Sequence, residues 1–340
     1  MTSEELISWF LRNGISALKS VHKMTNGFNI SERYKPSALA VVHEGDCREM
    51  LRGIPNGVIQ LVVTSPPYNL GKEYESRMHL DAYIREQREV ITECVRVLAA
   101  GGSICWQVGN FVDDGAIIPI DSLLYPIFAG LGLKMRNRIV WHFEHGLHCS
   151  RRLSGRYETI VWFTKGDDYV FDVDPIRVPQ KYPGKKYFKG PKAGQYSCNP
   201  LGKNPGDVWT IPNVKSNHVE KTGHPCQFPV ELIERLVLSL TREGDWVLDP
   251  FLGTGTSIIA ALRHGRRGIG AEIVKKYIEI SKSRIGLAAD NELPVRPMNQ
   301  PVFDPRDAGK NLLTAPWLEE KMTAEQGVLL EKAPRYRIRK

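Results

Sequence analysis

Short apolar runs alternate with segments of helical spacing along most of this chain, and this alternation most restricts the folds open to it. The run 58–63 is mostly apolar and β-branched, which is typical of a strand buried on both faces. The predicted strands are 38–42, 58–63, 103–108, 138–143, 159–164, 246–249 and 267–272. The predicted helices are 4–12, 47–52, 80–98, 121–129, 229–240, 257–263 and 275–285. Strands alternating with helices favour right-handed crossovers, so we predict an α/β fold with a doubly wound, mostly parallel sheet.

A segment of different composition, residues 165–222, interrupts this alternation. Between positions 175 and 203 it contains seven basic residues and no acid, with tyrosines, a phenylalanine, prolines and glycines among them. A solvated surface insertion and a nucleic-acid-facing module both fit this composition. In the second, lysines and arginines would meet phosphates and aromatic rings would stack on bases. The net charge of +8 and the pI near 9.1 agree with an anionic partner.

The stretch 246–257, Trp-Val-Leu-Asp-Pro-Phe-Leu-Gly-Thr-Gly-Thr-Ser, predicts a strand, a glycine turn and the start of a helix. Gly253 and Gly255 would let a ligand approach the backbone closely. A triphosphate loop would need a following Gly-Lys-Ser/Thr, and a dinucleotide loop a third glycine where Ile258 stands. The carboxylate of Asp249 would repel a pyrophosphate and attract a cation. S-adenosylmethionine, which carries an ammonium and a sulfonium group, has the matching charge.

Glu272 ends the next predicted strand. One helix and one strand separate it from Asp249, so both carboxylates are expected at the same edge of a parallel sheet. There Glu272 could accept hydrogen bonds from ribose hydroxyls. Alone it would be an ordinary acid at a strand end, and the glycine turn beside it favours the binding role.

A second motif, Thr64-Ser-Pro-Pro-Tyr-Asn69, follows the buried strand 58–63. Two prolines and a tyrosine can form a rigid turn over a core ring, and they can also serve methyl transfer. The lone pair of an exocyclic base amine is delocalised into the ring, so the amine is a poor nucleophile. The Ser65 hydroxyl and the Pro66 carbonyl can accept its two hydrogens, and orientation then supplies the rate. Tyr68 would stack on a base extruded from the duplex.

Thr64–Tyr68 followed by Asp249–Gly255 resembles the DNA amino-methyltransferases of restriction–modification systems, and the order of the motifs resembles their beta class. The resemblance extends over residues 38–286. It implies S-adenosyl-L-methionine as cofactor, double-stranded DNA as partner and the catalytic residues Ser65, Pro66, Pro67 and Tyr68. The implied cofactor-binding residues are Asp46, Asp249, Pro250, Phe251, Gly253, Thr254, Gly255, Thr256, Glu272, His224, Gln227 and Phe228.

The resemblance also implies a division of the chain. We expect an N-terminal arm (1–37), a catalytic half (38–164), a target-recognition region (165–222), a cofactor-binding half (223–290) and a C-terminal tail (291–340), which contains a helix near 317–330. The predicted DNA-binding residues are Lys181, Lys185, Lys186, Lys189, Lys192, Arg151 and Arg152. A cognate restriction endonuclease is an expected functional partner, and the enzyme is expected to be a monomer or a homodimer.

The target base and two rival functions stay open at this point. Serine at position 65 resembles the residue found there in the cytosine-N4 branch of the family, whereas aspartate is commoner there in the adenine-N6 branch. We therefore favour cytosine N4 over adenine N6 as the target. The rivals are an RNA or protein amide methyltransferase and a non-catalytic DNA-binding protein on the same scaffold. Cys226 lies in a Pro-Cys-Gln string like that of cytosine-C5 enzymes, but it precedes the glycine turn instead of following it, which argues against C5 chemistry.

Other features predict a cytoplasmic protein. The six cysteines are widely spaced and include no Cys-x-x-Cys pair, so neither a disulfide framework nor a metal site is expected. No apolar run approaches the roughly 18 residues that cross a bilayer. The first residues carry acids where a signal peptide would be basic.

Overall fold

The computed structural model of the protein describes residues 28–302, except 70–76, 145, 147 and 216. The predicted helices 4–12 and 317–330 lie outside the described residues. The described residues up to Gln300 belong to one compact unit. None of the helices in this part of the chain is both long and apolar enough to cross a membrane.

The secondary structure follows the predicted alternation, with additions. The strands are β1 (Ile30–Ser31), β2 (Ala40–Glu44), β3 (Ile59–Thr64), β4 (Leu98–Val108), β5 (Asn110–Asp113), β6 (Ala116–Pro119), β7 (Lys134–His142), β8 (Tyr157–Thr164), β9 (Val208–Thr210), β10 (Trp246–Asp249) and β11 (Arg267–Glu272). The helices are α1 (Cys47–Arg52), α2 (Leu80–Val97), α3 (Ile120–Gly130), α4 (Val230–Leu240), α5 (Thr256–Arg263) and α6 (Lys275–Ala289). A short 3₁₀ turn covers Asp174–Ile176.

Nine strands form one mixed sheet in the order β1-β2-β11-β10-β3-β4-β8-β7-β9. Neighbours from β1 to β4 are parallel, β8 is antiparallel to both β4 and β7, and β9 is parallel to β7. The hairpin β5-β6 forms a separate small sheet. The predicted mostly parallel, doubly wound α/β sheet is confirmed.

Helices cover both faces of the sheet, as a parallel sheet requires. Apolar side chains of α1, α2 and α3 pack on one face, around Ile91, Trp106 and Phe128. Those of α4, α5 and α6 pack on the other, around Leu61, Val237 and Ile259. The loops at the strand ends therefore extend from strands that are buried between two layers of helices.

Four short strands of the described residues were not predicted: β1, β5, β6 and β9. The most informative is β9, because it lies inside the segment 165–222 and pairs with β7 of the main sheet. Trp209 and Ile211 beside it are buried in the core. Part of the segment 165–222, near its carboxyl end, therefore belongs to the main sheet.

Candidate active site

A cavity of about 440 Å³ opens at the carboxyl ends of β2, β3, β10 and β11. Because these strands are parallel, the residues that follow them meet at one edge of the sheet. The lining includes these residues singled out in the sequence: Asp46, Ser65, Pro66, Pro67, His224, Gln227, Phe228, Pro250, Phe251, Gly253, Thr254, Thr256 and Glu272. Tyr68, Asp249 and Gly255 are not in the lining. Two motifs far apart in sequence thus meet at one cavity.

Adjacent strands bring the two motifs together. β3 and β10 pair directly in the sheet, with Leu248 beside Val62. Just beyond this pair, the Thr64 hydroxyl donates a hydrogen bond of 2.6 Å to Asp249 Oδ1. The Ser-Pro-Pro-Tyr corner and the glycine turn therefore begin from a shared buried contact.

Asp249 lies behind the cavity wall, which differs from the direct ligand contact expected of it. Its side chain is 0% exposed. Besides the bond from Thr64, it accepts 2.7 Å from the Ser257 hydroxyl and 3.1 Å from the Phe251 backbone N–H. Burial raises its pKa to about 6, against the opposing effect of these hydrogen bonds. The structure thus gives Asp249 contacts to the loops around the cavity, with no surface on the cavity itself.

The glycine turn needs backbone angles that other residues rarely adopt. Gly253 has φ +55° and Gly255 has φ +82°. A Cβ on Gly255 would also lie 3.2 Å from Ser281 Cβ of α6, so this glycine permits close helix packing. Arg284 of the same helix supports the turn from below, where its Nη1 donates 2.6 Å to the Thr254 carbonyl oxygen. Gly253 faces the cavity, and Gly255 fixes the path of the turn.

The Glu272 carboxylate ties the glycine turn to the loop after β11. Its Oε2 accepts 2.9 Å from Gly253 N–H, and its Oε1 accepts 3.0 Å and 2.8 Å from Ile273 and Val274 N–H. Burial raises the pKa of this carboxyl group. Two carboxylate oxygens offer about four acceptor positions. Three of these positions are occupied by backbone N–H groups, so one remains to accept a hydrogen bond from a ligand hydroxyl at the cavity.

Asp46 caps the first helix at the opposite wall. It accepts 2.8 Å from Arg48 N–H, and the Arg48 guanidinium approaches its Oδ2 to 2.6 Å. The hydrogen bond from the Arg48 side chain lowers the pKa of Asp46, although partial burial opposes this. The carboxylate therefore stays ionised at neutral pH while it lines the cavity.

The segment 224–228 closes a further wall. The His224 ring lies 4.4 Å from the Tyr277 ring, measured between centroids, and its Nδ1 accepts 3.1 Å from Cys226 N–H. The Gln227 amide accepts 2.8 Å from the Thr222 hydroxyl and donates 2.8 Å to the Glu220 carbonyl. These contacts hold the loop in shape beside the cavity.

Tyr68 is held beside Ser65 by a chain of polar contacts. The Ser65 and Tyr68 hydroxyl oxygens lie 2.9 Å apart, and Tyr68 donates 3.2 Å to Glu158 Oε2 on β8. The Gln107 amide on β4 also donates to this carboxylate oxygen. Burial, and then the Glu158 charge, raise the pKa of the phenol well above its usual range. Tyr68 therefore stays protonated.

The lining suits a cation that also carries apolar surface. Carboxylates of Asp46 and Glu272 face the cavity together with Phe228 and Phe251. Gly253 has no side chain, and a Cβ there would meet nothing closer than 3.8 Å, so backbone is accessible at the turn. Acceptors, rings and open backbone match the ammonium, sulfonium, ribose and adenine of S-adenosylmethionine.

Residues 177–204, which we name the basic arm, lie outside the core. Antiparallel bridges join Val178 to Lys203 and Lys186 to Tyr196. The arm exposes Tyr182, Phe188 and Tyr196 at 64%, 88% and 66%, and each ring has a lysine ammonium 5.1–5.6 Å from its centroid. The predicted DNA-binding residues Lys181, Lys185, Lys186, Lys189, Lys192, Arg151 and Arg152 are all exposed.

Several residues of the site were missed in the sequence. Thr64 and Ser257 stand in the two motifs, but their shared contact to Asp249 depends on strand pairing. Glu158 has no local motif, and only the antiparallel pairing of β4 and β8 brings it near Gln107. Arg284 lies in the predicted helix 275–285, where no neighbouring residue marks it as part of a site. No signal within a single stretch of sequence could have found these contacts.

Comparisons with known proteins agree with this geometry. The sequence profile of the DNA methylase family matches residues 59–283. Type II methyltransferase M.BglII of Bacillus subtilis is 51% identical over 254 residues, 74% of this chain and 71% of the relative. DNA adenine methyltransferase YhdJ of Escherichia coli (strain K12) is 32% identical, over 76% of this chain and 86% of the relative. TTHA0409 of Thermus thermophilus, in complex with S-adenosyl-L-methionine, has a TM-score of 0.53 and 30% identity, over 73% of this chain and 95% of that chain.

Proposed function

Since the chain belongs to the DNA methylase family, as an S-adenosylmethionine-dependent DNA amino-methyltransferase of restriction–modification type, we propose that it methylates the N4 amine of a flipped cytosine in duplex DNA. The observation that carries this proposal is the direct pairing of β3 with β10, which leads Ser65 and the glycine turn into one cavity. The reaction needs an amine acceptor and a cofactor within reach of each other.

The chain's own part in the proposed reaction is to orient the amine. The Ser65 hydroxyl oxygen and the Pro66 carbonyl oxygen accept its two hydrogens, which draws the nitrogen toward tetrahedral geometry. Pro67 keeps the corner rigid, because its ring fixes φ. Tyr68 stacks on the extruded base and offsets an unstacking cost of a few kcal/mol. S-adenosylmethionine, when bound, supplies the electrophilic methyl group.

The cofactor is proposed to lie in the cavity lined by the glycine turn, Asp46 and the segment 224–228. Glu272 and Asp46 supply carboxylate acceptors, and Pro250, Phe251 and Phe228 supply apolar contacts. Thr254, Thr256, His224 and Gln227 also line the cavity. In this assignment Asp249 and Gly255 act on the cofactor through the shape of the turn.

Serine at position 65 supports cytosine N4 as the target. Adenine N6 is the second candidate, because a relative that is 32% identical, YhdJ, is a DNA adenine methyltransferase. Both amines offer two hydrogens to the same acceptors, so the chemistry of the corner serves either base.

The basic arm supports a role for residues 165–222 in target recognition. We propose that its lysines contact phosphates and that its exposed rings approach bases, with Arg151 and Arg152 as further phosphate contacts. We retain the proposed division into 1–37, 38–164, 165–222, 223–290 and 291–340. We further propose that the enzyme acts in the cytoplasm as a monomer or homodimer and protects DNA from a cognate endonuclease.

One experiment tests the reaction and the base together. The purified protein is incubated with genomic DNA and cofactor labelled in its methyl group, and the DNA is digested to nucleosides and analysed by mass. Labelled N4-methyl-2′-deoxycytidine is the expected product. Labelled N6-methyl-2′-deoxyadenosine would replace the first candidate with the second, and an unlabelled digest from a cofactor-binding protein would overturn both.

A further inference from the structure

The hydroxyl group of Tyr68 lies between the Ser65 hydroxyl and the Glu158 carboxylate. The two oxygen–oxygen distances are 2.9 Å and 3.2 Å. A carboxylate can only accept, and a phenol has one proton to give. Tyr68 must therefore donate to Glu158, and the contact between Ser65 and Tyr68 then has Ser65 as its donor.

The direction of donation along these hydrogen bonds decides whether the Ser65 hydroxyl can accept a hydrogen bond from a base. A serine hydroxyl has one proton and two acceptor lone pairs. When its proton is given to Tyr68, both lone pairs are available at the cavity that Ser65 lines. The exocyclic amine of a base presents hydrogens, so an acceptor is what it requires. Successive hydrogen bonds also polarise one another, which strengthens Ser65 as an acceptor.

We propose that Glu158 is a positioning residue, which acts through Tyr68 to keep the Ser65 hydroxyl an acceptor for the target amine. The proposal rests on the proposed function and adds a residue on β8 to the site. It also gives Tyr68 a second role, since its hydroxyl transmits the orientation while its ring stacks.

Neighbouring strands hold the chain of contacts in place. Gln107 on β4 donates its amide to the same Glu158 oxygen, which directs that oxygen toward Tyr68. Gly109 makes room for the Tyr68 ring, because a Cβ there would lie 3.1 Å from the ring edge. Burial and the Glu158 charge keep the phenol protonated, as its raised pKa indicates. A protonated phenol beside a carboxylate donates to that carboxylate, which leaves Ser65 as the donor to Tyr68.

The test uses Glu158→Gln, Tyr68→Phe and the double variant in single-turnover methylation of the target duplex. Glutamine keeps the shape of the side chain but can also donate. Each single variant is expected to slow methyl transfer by about 10- to 100-fold, the effect of one hydrogen bond to a charged group. If Glu158 acts through Tyr68, the double variant will be no slower than Tyr68→Phe. Glu279→Gln on the exposed surface of α6 is the matched control and should react at the wild-type rate.

A binding measurement without methyl transfer gives the second readout. Wild-type protein should bind a duplex with the intact target base more tightly than one in which hydrogen replaces the amine. Glu158→Gln and Tyr68→Phe should both reduce this preference while cofactor affinity stays unchanged. Glu158→Asp, which keeps the carboxylate, should recover part of the rate and of the preference.

The outcomes separate this proposal from the proposed function. A wild-type enzyme that methylates no exocyclic amine would end the proposed function itself. An active wild type with an unaffected Glu158→Gln variant, or a double variant whose loss equals the product of the single losses, would overturn the role of Glu158 alone. If Glu158→Gln does not fold, an unchanged amine preference in Tyr68→Phe overturns it equally.

Discussion

Ser65 places one oxygen where the proposed reaction needs an acceptor. Ser65→Ala removes that oxygen and leaves the glycine turn and the carboxylates of Asp46 and Glu272 in place. Turnover should fall by about 100-fold or more, as for the loss of one preorganised hydrogen-bond partner of a transition state. Cofactor affinity, measured by calorimetry, should be unchanged. Ser283→Ala, at an exposed position of α6, should match the wild type in both measurements. A large loss of cofactor binding in Ser65→Ala would contradict the assigned role.

Asp249 makes stability depend on pH in a specific direction. Its pKa is about 6 in the folded protein and 3.8 for the unperturbed group, so the folded state holds this proton more tightly than the unfolded chain. The stabilisation of the folded state that comes from this tighter proton binding is fully present below about pH 4. It is lost as the pH rises through about 6. The amide of the Asp249→Asn variant does not titrate. The unfolding free energy of the wild type minus that of this variant should therefore fall by about 3 kcal/mol as the pH rises through this range. Urea unfolding at a series of pH values measures the difference. Parallel pH profiles would contradict the raised pKa.

The sequence predicted the residues of the site that lie in contiguous motifs. Ser65–Tyr68 and Asp249–Thr256 were found because each group follows one strand, where an acceptor or a glycine stands out. The buried position of Asp249 was not foreseen, since it depends on the contact with Thr64, 185 positions away. Glu158 was missed for the same reason. Contacts across paired strands need the register, which no local pattern contains.

At the scale of elements, β11 supports the glycine turn by packing closely against it. A Cβ on Gly270 would lie 2.7 Å from Leu252 Cδ1 and 2.8 Å from the Asp249 carbonyl oxygen. Gly270→Ala must therefore displace the turn, at a cost of about 1–3 kcal/mol in unfolding free energy, and should weaken cofactor binding. Urea unfolding and calorimetry measure the two effects.

Gly286 provides the control for that substitution. It lies in α6, and a Cβ there would meet nothing within 4 Å. Gly286→Ala should leave cofactor affinity unchanged and gain up to about 1 kcal/mol from helix propensity. Equal stability of the Gly270→Ala and wild-type proteins would show that the turn does not depend on close contact with β11.

The predicted elements match the structure best where helices and strands alternate regularly. The bounds of α1, β10 and β11 are those expected, because each is a distinct segment between clear breaks. β9 was missed, because three residues inside a basic, proline-rich segment carry no periodicity. Its place in the sheet comes from pairing with β7, which only the folded molecule provides.

At the scale of the whole molecule, the basic arm is the described segment proposed to meet DNA, and it contains seven basic residues and no acid. Lys185→Gln with Lys186→Gln removes two exposed charges from the arm. If both contact phosphates, the slope of log affinity against log salt concentration, which is negative, should become less steep by about 1.8, because each lost contact releases about 0.9 counterion fewer. Fluorescence anisotropy with a labelled duplex at several salt concentrations measures this slope. Lys275→Gln with Lys282→Gln on α6 makes the same change in net charge and should leave it unaltered. An equal decrease in both double variants would mean that net charge, and not the arm, governs DNA binding.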